Sequence, residues 1–295
     1  MTGEPTTVGI VSPGDMGQAI GGVLVGNGLR VVAALDGRSR RTRELARQAG
    51  IEDVGTVERL VESAQIVLSV VVPAAAVVVA ERVAAALIAT GAAPLYADCN
   101  AVAPATASRA GEIVGAAGAR FVDAGIIGSP PRGNAATRIY ASGEAAGELA
   151  VLCRYGLDVR VLGPAIGAAS GLKMCYGALT KGVSALATQL LVAAERLDLD
   201  DALRQELRAS QPALLGWIDG ALPSMPPKAH RWVGEMEQIA ATFEAVGLTP
   251  RLFDGVAELY RWVATTPPGR ETPETRVPRD ADATVAALAM ALPER

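Results

Sequence analysis

One lysine, and the helix it rides on, is the first place to look for chemistry in this chain of 295 residues. Lys173 sits in Gly167-Ala168-Ala169-Ser170-Gly171-Leu172-Lys173-Met174-Cys175-Tyr176, where apolar residues recur at helical spacing. In projection Lys173, Tyr176, Gly177 and Thr180 share one face, so a cleft between domains can receive them. A lysine partly withdrawn from water holds its proton less tightly and can act as general acid toward a carbonyl or imine under reduction. A lysine whose stem lies along apolar neighbours, with its head in water, fits the same spacing.

A second cluster is the turn Ser12-Pro13-Gly14-Asp15-Met16-Gly17, between a β-branched run at Val8–Val11 and a helical stretch ending near Asn27-Gly28. Strand, tight turn and helix bring backbone N–H groups and a helix N-terminus against an anion, and glycines 14 and 17 leave room for a pyrophosphate. Ser12 stands where the first glycine of G-x-G-x-x-G belongs, so a turn with no ligand fits the bare pattern too. A third cluster, Asp36-Gly37-Arg38-Ser39-Arg40-Arg41-Thr42-Arg43, follows the next strand. Its guanidinium and hydroxyl groups, Arg38, Ser39 and Arg41 above all, suit the 2′-phosphate of NADP. Asp36 pulls the other way, because an acid there binds the ribose hydroxyl of NAD; a solvated basic helix start is the plain alternative.

The elements that must hold these groups alternate. Strand-like runs at Val8–Val11, Arg30–Leu35, Ile66–Val72, Pro94–Ala97, Arg120–Val122 and Thr137–Ala141 are separated mostly by Ala/Glu/Arg-rich helical stretches, which predicts a doubly wound parallel sheet. After Val159–Pro164 strand signals cease. The expected organisation is a Rossmann domain over 1–163, an all-helical domain over 164–264 and a flexible tail over 265–295 with a possible short helix. On the long helix from Ala165 to about Leu197, the residues Leu172, Cys175, Leu179, Val183, Leu186 and Leu190 are expected to form the buried face.

Composition excludes several classes. A net charge of −4, from 27 basic and 31 acidic residues, gives no field to gather nucleic acid or an anionic membrane. Half the residues are hydrophobic and 4% aromatic, which fits Ala, Val and Leu cores in a globular enzyme. Residues 66–90 are very apolar, but Pro73 and the pair Glu81-Arg82 favour a buried strand and helix over a membrane span. Cys99, Cys153 and Cys175 form no CxxC pair, so reduced thiols in the cytoplasm are expected, and with His230 alone a histidine metal cage is not. The residues Met1–Thr7 show no secretion pattern.

Taken in order, Val8 to Gly17, Val71-Val72-Pro73, Asp98-Cys99-Asn100-Ala101-Val102-Ala103-Pro104, Asp123-Ala124-Gly125-Ile126-Ile127-Gly128-Ser129 and Gly167 to Lys173 resemble the β-hydroxyacid dehydrogenase superfamily. That group includes 3-hydroxyisobutyrate and 6-phosphogluconate dehydrogenases, with imine reductases as relatives. Met225 to Ile239 resembles a little-characterised 6-phosphogluconate-dehydrogenase-like branch. The resemblance implies that Pro13, Gly14, Asp15, Met16 and Gly17 hold the dinucleotide and that Val72-Pro73 passes under its ribose. It places Asn100 near nicotinamide and substrate, makes Lys173 the catalytic lysine, and implies a homodimer through the helical domain. Ile127-Gly128-Ser129 lacks the serine of the usual Ser-Gly-Gly substrate loop, and Tyr176 replaces an asparagine; it is a second proton donor or a ring against substrate. His230, Trp232 and Glu235 would line the substrate side, or else be a surface histidine and a core tryptophan. The expected activity is hydride transfer between NADP(H), with NAD possible, and a secondary alcohol or carbonyl; imine reduction and non-catalytic cofactor sensing are the alternatives.

Overall fold

The computed structural model describes residues 5–133, 136–272 and 275–293. Two compact units divide it, Met1–Met174 and Cys175–Arg295. In the first, β1 (Thr7–Ile10), α1 (Asp15–Gly26), β2 (Arg30–Ala33), α2 (Arg40–Gln48), β3 (Glu52–Asp53) and α3 (Val57–Ser63) are followed by β4 (Ile66–Ser69), α4 (Ala76–Thr90), β5 (Leu95–Asp98) and α5 (Pro104–Ala116). Then come β6 (Arg120–Ile127), β7 (Arg138–Ser142), the short α6 (Ala146–Leu149) and β8 (Asp158–Gly163). The sheet order is β3-β2-β1-β4-β5-β6-β7-β8.

The central strands β1, β4 and β5 are buried along their whole lengths, as parallel strands covered on both faces must be. Val8 and Ile10 pack with Ile20 and Leu24 of α1 on one face. On the other, Val67 and Tyr96 pack with Leu60 of α3 and Val79, Val83 and Leu87 of α4. Each fully buried Ile or Leu of this kind contributes about 1.5–3 kcal/mol. The doubly wound fold is as expected, with one difference: β7 runs antiparallel to β6, while every other pairing is parallel. Loop 128–137 is too short for a crossover, so it returns the chain beside β6 as a hairpin. β3, at two residues, carries too little pattern to read.

The long helix α7 (Ala168–Arg196) spans the division between the units. The division falls beyond Gly163 because the first turns of α7 are tied to the sheet by side chains described below. The second unit continues with α8 (Asp200–Ser210), α9 (Pro212–Ala221), α10 (Ala229–Ala245), α11 (Arg251–Thr265) and α12 (Ala281–Ala289). Rings tie α10 to α11: Phe243 meets Phe253 at 4.8 Å between centroids, and Trp232 meets Tyr260 edge-on at 5.2 Å. Within the stretch read as a tail, Pro268 and Gly269 are buried and α12 buries Val285 and Leu288, while Asp282 pairs with the buried Arg204.

The apolar stripe of α7 corrects the expectation. Leu179 and Leu186 are 64% and 63% exposed, and Leu172 and Cys175 are exposed as well, whereas the small side chains Ala178, Ser184, Ala185, Ala187 and Thr188 are buried. Small residues let the helix backbone approach its neighbours closely, and the leucines are left on the other side. Two helical segments, Pro73–Thr90 and Ala168–Arg196, are long and apolar enough to cross a membrane; 39% and 50% of their most apolar windows are buried within the protein.

Candidate active site

The glycine turn joins β1 to α1 at the carboxyl edge of the sheet, beside the point where strand order reverses between β1 and β4. Gly14 occupies the N-cap position of α1 at φ −70° with no side chain capping the helix, and a Cβ added to it meets nothing within 4 Å. Open space over a helix N-terminus leaves room for an anionic group such as a pyrophosphate. Gly17 is different, because its Cβ would stand 2.5 Å from the Ser12 carbonyl oxygen. Asp15 and Met16 are half-buried and Pro13 is buried in the same turn.

From the end of β2, Arg38 reaches back and donates to the Val11 carbonyl at 3.1 Å, which sets its guanidinium beside the glycine turn. Burial, with the nearby charge of Arg82 adding to it, lowers its pKa from the ordinary value. Arg41 pairs with Asp15 at 2.8 Å, so two residues expected at the cofactor bind each other across the turn. Ser39 caps α2 by accepting from the Thr42 N–H. Asp36 is exposed near Gly55.

Asn100 is turned inward. It is 2% exposed, its Oδ1 accepts from the Val71 N–H at 2.6 Å, and its Nδ2 donates to Ser69 Oγ at 3.2 Å. The amide expected to face nicotinamide and substrate is thus occupied in holding Val71, next to the exposed Val72 and half-buried Pro73. Its own N–H donates to Asp98 Oδ1 at 3.0 Å, and Oδ2 of Asp98 and the hydroxyl of Tyr96 are buried without partners. Burial, with the like charge of Asp123 assisting and the Asn100 N–H opposing, pushes Asp98 up to about 7.

The sign of the consequence follows. An unfolded aspartate ionises near pH 3.9, so between about pH 4 and 7 the folded chain holds the extra proton and stability falls as pH rises. Asp98→Asn is expected to flatten the melting temperature over that range and raise it by several degrees above pH 7. A melting curve against pH that stays parallel to the parent's would refute this.

Lys173, half-buried on α7, donates from Nζ to the carbonyl oxygen of Ile126 on β6. The helix comes this close because residue 125 is glycine: a Cβ there would stand 2.7 Å from the Ala169 carbonyl and 3.0 Å from Lys173 Cβ. Ile127 is 4% exposed, an apolar side chain shielded from water. Gly128, at φ +121°, makes the bend that follows β6, and exposed Ser129 accepts at its carbonyl from Thr137 Oγ1. Tyr176 is 45% exposed.

In the second unit, Glu235 pairs with Lys181 at 2.5 Å, and the Lys181 ammonium lies 5.6 Å from the centroid of Trp232. Trp232 and Glu235, one turn apart, therefore share a group, while His230 lies on another face of α10 and is exposed. Partial burial and then Arg231 lower the His230 pKa. Lys181 escaped the sequence reading although it lies on the Lys173 face two turns on. Asp98 and Asp123 also escaped it; each is a lone acid inside an apolar strand run, which is a usable signal.

With this geometry in place, relatives can be set beside it. Residues 7–151 match the NAD binding domain of 6-phosphogluconate dehydrogenase, and residues 194–263 match a domain of unknown function, DUF1932. An uncharacterized 28.5 kDa protein of Methanothermus fervidus is 29% identical over 183 residues, 62% of this chain and 69% of that one. The conserved protein MTH1747, of unknown function and described as structurally similar to 3-hydroxyacid dehydrogenases, is 30% identical with a TM-score of 0.65, covering 88% of this chain and 96% of its own. Mycobacterium tuberculosis 3-hydroxyisobutyrate dehydrogenase, solved with L-serine, has the same fold at a TM-score of 0.70 and 19% identity, over 96% of this chain and 99% of its own.

Proposed function

This chain belongs to the β-hydroxyacid dehydrogenase superfamily and is an NAD(P)-dependent dehydrogenase or reductase of that type; from that premise we propose that it moves a hydride between NADP(H) and a secondary alcohol or carbonyl compound in the cytoplasm. The observation that carries this reading is the Lys173 ammonium, drawn onto β6 at the carboxyl end of the sheet that bears the glycine turn.

Gly14, Met16 and Gly17 would hold the pyrophosphate, Arg38 and Ser39 the 2′-phosphate, and Val72-Pro73 the ribose. The nicotinamide, when bound, supplies the hydride. Lys173 gives a proton to the substrate oxygen in the reducing direction and takes it back in the oxidising one. Asn100 acts at one remove by fixing the Val71–Pro73 segment. Because the buried, apolar Ile127 stands where the usual substrate loop has a serine hydroxyl, the substrate is a carbonyl compound unlike the small hydroxyacids.

The test is a panel of keto acids, ketones and cyclic imines offered with NADPH and with NADH. Consumption of NADPH by carbonyl substrates is expected; turnover of imines alone would replace the alcohol reading with imine reduction. Arg38→Ala should weaken NADPH about 10- to 100-fold, the loss of one charge-assisted phosphate contact, and leave NADH nearly unchanged. Equal losses for both nucleotides would remove Arg38 from the 2′-phosphate site.

The exposed stripe supports a homodimer through the helical unit. Leu179, Val183, Leu186, Leu252, Val256 and Trp262 line a groove of about 1120 Å³ along α7 and α11, wider than the 300–1,000 Å³ usual for one small ligand. The apolar face of a second copy of α7 would cover the leucines that one copy leaves in water. Leu186→Glu is expected to yield monomers in light scattering at micromolar concentration; a monomeric parent would overturn the dimer.

A further inference from the structure

One strand makes several independent provisions for one helix. Asp123, fully buried within β6, accepts on Oδ2 from the Gly167 N–H at 2.9 Å, the Ser170 N–H at 3.0 Å and the Ser142 hydroxyl at 3.0 Å. On Oδ1 it accepts from the Ser170 hydroxyl at 2.5 Å. Ser142, from β7, accepts in turn from the Ala169 N–H at 3.0 Å. The opening N–H groups of a helix have no partners inside it, and here strand side chains take up three of them around the start of α7. Both oxygens of Asp123 accept, and the side chain is placed at the positive end of the α7 dipole.

Helix capping alone does not account for this choice. An exposed Ser, Thr or Asn beside the first turn caps a helix about as well, without burying a charge in the middle of a sheet. What a carboxylate on β6 adds is registration. Ser170 and Lys173 are one turn apart on α7, and Asp123 and Ile126 are three residues apart on β6. Ser170 is joined to Asp123 by two hydrogen bonds, and Lys173 to Ile126 by the ammonium on the Ile126 carbonyl. Gly125, between them, sets the depth of approach. Two ties on one strand fix both the rotation of α7 about its axis and its shift along it. Slipping the helix by one residue turns it about 100° and would carry the ammonium off the strand.

We propose that Asp123, assisted by Ser142 and Ser170, is the positioning residue that sets where the Lys173 ammonium stands. Its catalytic consequence rests on Lys173 being the proton-transfer group; its structural consequence does not.

The sequence has just three lysines, Lys173, Lys181 and Lys228, so ¹³C-methylated lysine NMR gives three assignable side-chain signals. Asp123→Asn keeps the size but turns one acceptor into a donor that opposes the helix N–H groups. The Lys173 signal is expected to move while those of Lys181 and Lys228, both in the other unit, stay in place. With the best substrate of the panel above, kcat should fall at least about 30-fold and the NADPH Kd change less than about threefold. Asp123→Glu should recover part of the loss, and Asp123→Asn should cost nothing further in a Lys173→Ala background. Folded Asp123→Asn with an unmoved Lys173 signal and unchanged kcat overturns the proposal. If that variant does not fold, Ser170→Ala removes the Oδ1 tie alone; a smaller shift of the Lys173 signal supports the clamp and no shift overturns it. Should Lys173→Ala leave turnover intact, the catalytic reading fails, while the NMR result still decides the positioning.

Discussion

Lys173→Ala is expected to lower kcat by about 10²–10⁴-fold, the usual worth of a positioned general acid or base, with NADPH affinity changed by less than about threefold. The split between the two numbers follows from geometry. Lys173 belongs to α7 and is held by β6, whereas the turn that would cradle the nucleotide lies on β1 and α1, so the alanine removes a proton and leaves the cradle intact. Steady-state rates and nucleotide titration measure the two separately. A parent protein that binds NADPH and turns over nothing on the panel would instead be a sensor, and a variant with undiminished kcat would take Lys173 out of the chemistry.

The second large effect concerns the two glycines of the turn, which do different work. At Gly17 an added methyl meets the Ser12 carbonyl at 2.5 Å, and that oxygen already accepts from the Gly14 N–H at 2.9 Å. Something in the backbone has to shift, so Gly17→Ala is expected to cost about 1–3 kcal/mol of stability and to weaken NADPH binding at least about 100-fold. At Gly14 the methyl meets nothing, and the backbone angles suit alanine. Gly14→Ala should keep the parent's melting temperature and still weaken nucleotide binding about tenfold or more, because the space it fills is the ligand's. Calorimetric unfolding and nucleotide titration of both variants check this. If Gly14→Ala alters neither measurement, the turn has no ligand.

The sheet was legible because its strands are unbroken apolar runs punctuated by turn residues, a pattern that survives without tertiary information. The turn between β1 and α1 and the position of Lys173 on a long helix were legible for a similar reason, since each has a local sequence signal. Asn100 shows where such reasoning stops. Its position at a strand end is readable, but whether the amide faces a ligand or Ser69 and the Val71 N–H is decided by neighbours far away in sequence. The stripe on α7 fails for another reason. Periodicity reveals that Leu179 and Leu186 share a face, but not that alanines, serines and threonines on the opposite side are the ones packed inside the unit. Arg41 and Asp15 were each assigned to a ligand, and their opposite charges brought them to each other. The antiparallel β7 was hidden because a single short strand carries no mark of its direction.

The crowding around β6 limits how this protein can change. Its middle is committed to a carboxylate, a bare Cα and a carbonyl, each set against the same helix, so a substitution there disturbs the ammonium before it can alter which molecule is accepted. Under the proposed reading, new preferences are expected to arise elsewhere, in the loop that leaves the strand at Gly128 and at the exposed Tyr176. A collection of variants with altered selectivity would be expected to cluster in those places and to leave residues 123–126 untouched.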